Sequence, residues 1–307
     1  MKITIPDKLN FSEESWQLFN GFELTRYDDV PKNPLELISR IADANIITAN
    51  YVDITAEVIA EAKELKYIIA PAVSPDWIDL KAATAKGITV LNCPSYNTAA
   101  VAEHALALIF ALNRKIVTAH NSILSGHWNP EEFSGNELGS KQLLTIGYGR
   151  IGKEIIKLAK GLGMITNYAN SSTSRTELEE LVKTADIIVI AASLNPSTEN
   201  MVDKRLLKLF KSAAIIVNVG RGLIIEQDSL YSALINKEIA GAALDVFPND
   251  TTISKPTAQI LRFARLGNVI VTPHIGYNTV EANERLAKEI VSNISSCIQG
   301  KPLNIIS

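Results

Sequence analysis

Residues 143–152 read LLTIGYGRIG, an apolar run that ends in three glycines, Gly147, Gly149 and Gly152. The segment that follows, KEIIKLAKGL (153–162), has helix-forming character. A strand, a glycine turn and a helix in that order give a G-x-G-x-x-G its physical content. The first glycine allows the tight turn, the second lets backbone approach a pyrophosphate, and the third lets helix and strand pack closely. The helix N-terminus then offers unpaired N–H groups and partial positive charge to phosphates. A bare glycine turn is common in proteins. In this context it reads as a dinucleotide site, with Arg150 and Ile151 inside it. It starts only after some 140 residues, so another unit is laid down first.

Composition narrows the class. The 307 residues allow one large or two moderate domains, and 47% hydrophobic content supplies their cores. Thirty basic residues against 33 acidic ones, a net charge of −3, leave no electrostatic footprint for nucleic acid or an anionic membrane. Cys93 and Cys297 are too few for a disulfide framework or metal cluster, which points to a reducing compartment and no metal. The N-terminus, MKITIPDKLNFSEES, turns polar after five residues and has no secretory apolar core. No apolar run approaches the roughly 20 residues of a membrane span. A soluble cytoplasmic protein is expected.

Strand-like and helix-like segments alternate along the chain, the grammar of a mostly parallel sheet. Strands are expected at 2–5, 46–48, 67–70 and 89–91, with helices near 34–41, 56–62 and 76–86. A long apolar helix is expected over 98–118, followed by a polar, turn-rich stretch over 122–140. After the glycine turn, strands are expected at 143–146, 164–168, 187–191, 214–218, 241–245 and 269–272. Helices at 176–183, 204–210 and 227–236 lie between them, and a last helix spans 280–299.

Ligands of open α/β sheets sit beyond the carboxyl ends of strands. Just past three expected strands of the second half stand Arg221, Asp250 and His274. Singly, each has an ordinary explanation: a solvated loop arginine, a turn aspartate, a structural histidine. Together they suit an α-keto acid. A guanidinium grips a carboxylate through two hydrogen bonds. An imidazole can give a proton to a carbonyl oxygen as hydride arrives. A carboxylate beside it favours the charged ring and orients it.

The ordered blocks IIVNVGRGLIIEQDSLYSAL (215–234), GAALDVF (241–247) and VTPHIGYNTVEA (271–282) are more specific than any one residue. With the glycine turn and the upstream stretch DWIDLKAATAKGITVLNCPSYNTAAVAEHALALIFAL (76–112), they cover nearly the whole chain. In these blocks the chain resembles the D-isomer-specific 2-hydroxyacid dehydrogenases. The resemblance implies that Arg221 binds the substrate carboxylate and His274 is the acid/base, paired with Asp250. It implies that Asp245 contacts the nicotinamide carboxamide and that Ala72, Val73 and Ser74 present amides to the substrate. Thr98, Asn195, Val219 and Gly220 would line the cofactor, together with the turn residues and His274.

Three positions depart from the family pattern. Position 250 usually holds glutamate, and Asp250 is one methylene, about 1.5 Å, shorter. The substrate loop is usually glycine-rich, and APAVSP (70–75) is bulkier and stiffer. An acid normally binds the adenosine ribose some 20 residues past the turn. Asn170 stands there instead, followed by Ser171, Ser172 and, nearby, Arg175. Without a carboxylate to repel a 2′-phosphate, NADP(H) is favoured over NAD(H).

The expected fold class is α/β, with two doubly wound parallel-sheet domains. One is a discontinuous flavodoxin-like substrate domain, residues 1–96 plus 279–307. The other is a Rossmann dinucleotide-binding domain, residues 97–278, with the site in the cleft between them. The expected function is hydride transfer between NAD(P)H and a small 2-keto or D-2-hydroxy acid, with glyoxylate or hydroxypyruvate reductase as the pattern. A dinucleotide-sensing, corepressor-like protein is the alternative. The apolar 98–118 helix and the loop bearing Trp128 imply a homodimer, as in the resembling family.

Overall fold

The computed structural model describes residues 1–250 and 255–307, which divide into two compact units, 1–97 with 278–307 and 98–277. The first opens with β1 (Ile3–Ile5), α1 (Glu13–Gln17), β2 (Leu24–Arg26), α2 (Pro34–Ile41) and β3 (Ile46–Thr48). It continues with α3 (Ala56–Glu61), β4 (Tyr67–Ile69), α4 (Leu80–Ala85) and β5 (Thr89–Leu91). The five strands pair in parallel in the order β2-β1-β3-β4-β5. Their direction of growth reverses between β1 and β3. Central strands such as IIT of β3 are buried on both faces, as a parallel sheet covered by helices demands.

The second unit begins with α5 (Thr98–Asn113) and α6 (Ile116–Leu124), then β6 (Gln142–Ile146), α7 (Arg150–Gly161), β7 (Ile165–Ala169), α8 (Arg175–Thr184) and β8 (Ile187–Ile190). There follow α9 (Lys204–Leu207), β9 (Ile215–Asn218), α10 (Gln227–Ile235), β10 (Gly241–Leu244), α11 (Ala258–Ala264) and β11 (Val269–Val271). Its six-stranded parallel sheet has the order β11-β10-β9-β8-β6-β7, reversing between β6 and β8. The period of two along β8 sorts its side chains. Ile188 and Ile190 join one core with Leu178, Val182, Leu206 and Leu234, while Ile187 and Val189 join the other with Val101, Ile109 and Ile155. The glycine turn leaves β6, so it lies at the reversal, the place where such sheets take ligands.

The chain then returns to the first unit as α12 (Val280–Ile298), which Thr279 caps through its hydroxyl. Beyond it, Ile306 donates its N–H to the Val90 carbonyl, and Asn304 accepts from the N–H of Asn92. The tail thus covers the outer edge of β5, one way of protecting an exposed strand.

Local chemistry moved some element boundaries. The apolar 98–118 segment is two helices, because Lys115 adopts a left-handed φ of 54°. Its ammonium donates to the Glu132 carbonyl, 3.0 Å away, and Asn113 Nδ2 donates to the Asn136 carbonyl. The returning 130s segment therefore ends α5. The turn-rich stretch expected at 122–140 holds the last turn of α6 and a 3-10 turn at Pro130–Phe133. The helix expected from 76 starts only at Leu80, because Asp79 accepts from the Ala82 N–H as its N-cap. Short β2, α1 and α11 were not expected; β2 is a three-residue edge strand without a buried position.

Candidate active site

Every strand of the second unit delivers candidate residues at its carboxyl end. The turn Gly147–Gly152 follows β6, Asn170 follows β7 and Asn195 lies beyond β8. Val219, Gly220 and Arg221 follow β9, Asp245 and Asp250 follow β10, and His274 follows β11. Thr98 opens α5.

Gly147 adopts a φ of +103°, and a Cβ there would lie 2.6 Å from the backbone of Ala191 and Ala192. Only glycine fits. Gly149 is the N-cap of the 12-residue α7 and gives no side-chain cap, so the first N–H groups of the helix stay available. Arg150 follows at the helix start, exposed, and has no ion-pair partner among the described residues. A cradle shaped by the lack of a Cβ, uncapped amides and an unpaired guanidinium all suit a pyrophosphate. The residues present therefore fit a dinucleotide.

Arg221 leaves β9 in an extended conformation, with its carbonyl receiving Asn218 Nδ2 at 3.0 Å. Gly222, next to it, sits against the backbone of Phe247 and Pro248, where any Cβ would collide. The arginine loop is thereby pressed onto the loop that carries Asp250. Asp250 Oδ2 accepts the Phe247 N–H at 2.8 Å and lies 3.2 Å from His274 Nδ1. That inward hold lets the shorter carboxylate reach the ring. Both side chains are largely shielded, 12% and 25% exposed.

His274 itself adopts a left-handed φ of 53°, a conformation that costs a residue with a Cβ about 1–2 kcal/mol. Asp245 holds it there. The Asp245 carbonyl accepts the His274 N–H at 2.8 Å. Its carboxylate takes the Ile275 N–H at 3.0 Å, the Gly276 N–H at 2.9 Å and the Thr272 hydroxyl at 2.6 Å. His104 Nε2, from α5, lies 3.3 Å from the same carboxylate. Burial works to raise the Asp245 carboxyl, but the donors from His104, Thr272, Ile275 and Gly276 outweigh it and hold it below the usual carboxylate range. A buried, fully solvated-by-protein anion thus anchors both flanks of His274.

A sequence profile described as the D-isomer specific 2-hydroxyacid dehydrogenase NAD-binding domain matches residues 106–276. The chain belongs to the D-isomer-specific 2-hydroxyacid dehydrogenases. A glycerate dehydrogenase from Methylorubrum extorquens is 34% identical over 281 residues, 89% of this chain and 88% of that one. A glyoxylate reductase from Pyrococcus furiosus is 34% identical over 299 residues, 91% of this chain and 87% of its own. Among solved structures, an acyclic imino acid reductase in complex with NADPH and D-Arg superposes with a TM-score of 0.89. It is 34% identical, with all of both chains covered. Like the glycerate dehydrogenase and the glyoxylate reductase, this dehydrogenase is an oxidoreductase acting on the CH–OH group of 2-hydroxy acids with NAD(P), and nothing supports the corepressor-like alternative.

Several expectations for this dehydrogenase change on inspection of the site. Arg175, expected beside a 2′-phosphate, is committed elsewhere: it binds Glu179 at 3.2 Å, Asp203 at 2.8 Å and the Met201 carbonyl at 2.7 Å. Asn170 Oδ1 accepts the Ser172 N–H at 2.9 Å and its hydroxyl at 2.7 Å, a self-contained turn that leaves Ser171 exposed. Asn195 Oδ1 is engaged likewise by Ser197.

In the first unit, Ala72-Val73-Ser74 follows β4, with the Ala72 and Val73 carbonyls held by the Cys93 N–H at 3.0 Å and Asn92 Nδ2 at 2.7 Å. Sequence reasoning missed two residues. Asp7, wholly buried past β1, accepts the N–H groups of Asn50 and Tyr51 past β3, at the reversal of the first sheet. His104 sits in the apolar run AEHALAL, where its polarity was a signal but its partner, Asp245, lies far along the chain.

Proposed function

We propose that this dehydrogenase reduces a small 2-keto acid at C2, with Arg221, His274 and Asp250 as its working side chains. The observation that carries the reading is the His274 Nδ1–Asp250 Oδ2 contact of 3.2 Å. It spends Nδ1 on the carboxylate and leaves Nε2 to face a substrate oxygen. In reduction, Nε2–H gives its proton to the C2 oxygen, and Asp250 stabilises the ring while it is charged. In the oxidative direction, neutral Nε2 takes the hydroxyl proton. Arg221 receives the substrate carboxylate through its planar fork and fixes C2. When bound, the nicotinamide supplies or accepts the hydride. Asp245 and Thr98, with Val219 and Gly220, are assigned to the cofactor alongside the glycine turn.

For the cofactor we favour NADPH over NADH, because no acid stands at Asn170 to repel a 2′-phosphate. With Arg175 engaged elsewhere, the preference is modest and rests on Ser171, Asn170 and Ser172. We further assign a homodimer, since α6 buries no residue of its own and exposes Ile116, Val117, Ile123 and Leu124, with Trp128 84% exposed just beyond. Cytoplasmic location suits two buried free cysteines.

The test is an initial-rate matrix of glyoxylate, hydroxypyruvate, pyruvate and phenylpyruvate against NADH and NADPH. Turnover with at least one acid is expected, falling at least about 100-fold in Arg221→Ala and His274→Ala. Unaffected variants would sink the assignment. The full-length likeness to an imino acid reductase favours a second reading, in which C2=N replaces C2=O. Adding ammonia or methylamine to each keto acid separates them. A rate that rises with amine, and amino acid as product, selects the imine.

A further inference from the structure

We propose that His104 is a positioning residue for the catalytic loop, acting on His274 through Asp245 and Thr272. The proposal rests on the reading of His274 as acid/base. His104 projects from α5 and is 17% exposed. Its Nε2 lies 3.3 Å from Asp245 Oδ1 and 3.3 Å from Thr272 Oγ1. Asp245 is a carboxylate and can only accept. The Thr272 hydroxyl already donates to Asp245 Oδ1, so toward His104 it too can only accept. Both contacts therefore require a proton on Nε2 of His104, which fixes its tautomer.

The oxygen that His104 holds is the one that holds the loop. Asp245 Oδ1 takes Thr272 two residues before His274 and the Ile275 N–H directly after it. The ring also walls off the loop sterically: a Cβ on Gly276 would lie 3.3 Å from His104 Cδ2 and 3.0 Å from Asp245 Oδ2. An ordinary buried histidine would satisfy its own polarity and no more. This one completes the donor set of a carboxylate whose other donors bracket a residue held at left-handed φ. Removing it leaves Asp245 Oδ1 with the Thr272 hydroxyl and the Ile275 N–H as its remaining donors and lets the carboxylate settle toward them. The Ile275 N–H then shifts, and with it the direction in which His274 presents Nε2. The effect falls on kcat and, because Asp245 is also assigned to the cofactor, on the KM for cofactor; the KM for keto acid is left to Arg221.

The decisive experiment compares His104→Phe, His104→Gln and His274→Ala in the full-length enzyme. His104→Phe keeps a ring and loses the donor; His104→Gln keeps an N–H donor. We expect His104→Phe to lose about 10- to 100-fold in kcat, with KM for keto acid within about threefold of the parent and the fold intact by circular dichroism. His104→Gln should recover most of the loss. Parental kcat in His104→Phe, with His274→Ala inactive, overturns the positioning role alone. Turnover surviving in His274→Ala overturns the acid/base reading, and the positioning role with it. Should His104→Phe fail to fold, ¹⁵N spectra of the imidazole nitrogens in the parent enzyme decide. A proton on Nε2 of His104 is required, and the Nδ1–H tautomer overturns the proposal.

Discussion

His274 and Asp250 show how much a single methylene matters. The aspartate reaches the ring because the Phe247 N–H draws its carboxylate inward. Lengthening it in Asp250→Glu should therefore keep turnover within about tenfold, whereas Asp250→Ala should lower kcat about 100-fold or more, measured at saturating keto acid. A larger loss in the glutamate variant than in alanine would contradict the assigned pairing. Asp7 makes the opposite case, a carboxyl that works against the fold at neutral pH. Burial pushes it up to about 6, beyond what the amides of Asn50 and Tyr51 and the nearby Arg40 pull back. Between its unfolded value of 3.8 and about 6, the folded state binds more protons, so stability falls as pH rises through that window. The ionised group costs on the order of 3 kcal/mol at pH 7. Urea midpoints of the parent should rise between pH 7 and pH 5 by more than those of Asp7→Asn; equal shifts would refute the assignment.

Elements place these residues through their ends. β6 and α7 meet at Gly147, where φ is +103° and the Ala191–Ala192 backbone fills the space of a side chain. Gly147→Ala must displace that backbone, so it should destabilise the unit by about 1–3 kcal/mol and abolish cofactor binding, read by melting temperature and nicotinamide fluorescence. Binding at parental affinity would show that the turn is not the pyrophosphate cradle. The glycine spacing was legible because the constraint is local: strand, turn and helix are contiguous in sequence. The break in α5–α6 was not, since Lys115 is turned by Glu132 and Asn113 by Asn136, contacts that no window over 98–118 contains.

At the scale of the whole molecule, both sheets reverse direction at their first strand and place their loops at one edge each. Cofactor choice belongs here, because it depends on how Asn170, Ser172 and Arg175 are used by their neighbours. With the guanidinium tied to Glu179 and Asp203, kcat/KM for NADPH should exceed that for NADH by less than the hundredfold or so that a charged partner provides. An NADH advantage of tenfold or more would refute the preference. Light scattering should give twice the 33.4 kDa chain mass, and Ile123→Asp with Leu124→Asp should halve it; a parental monomer would refute the dimer. Alternating strand and helix patterns, the glycine turn, and the order of Arg221, Asp250 and His274 were readable from sequence alone, because hydrophobic period, turn chemistry and strand-end position are properties of neighbouring residues. The reach of Asp250 to His274, the commitment of Arg175, the burial of Asp7 and the bond from His104 to Asp245 were decided by tertiary structure. Each depends on which atoms, distant along the chain, share a hydrogen bond once each unit has folded.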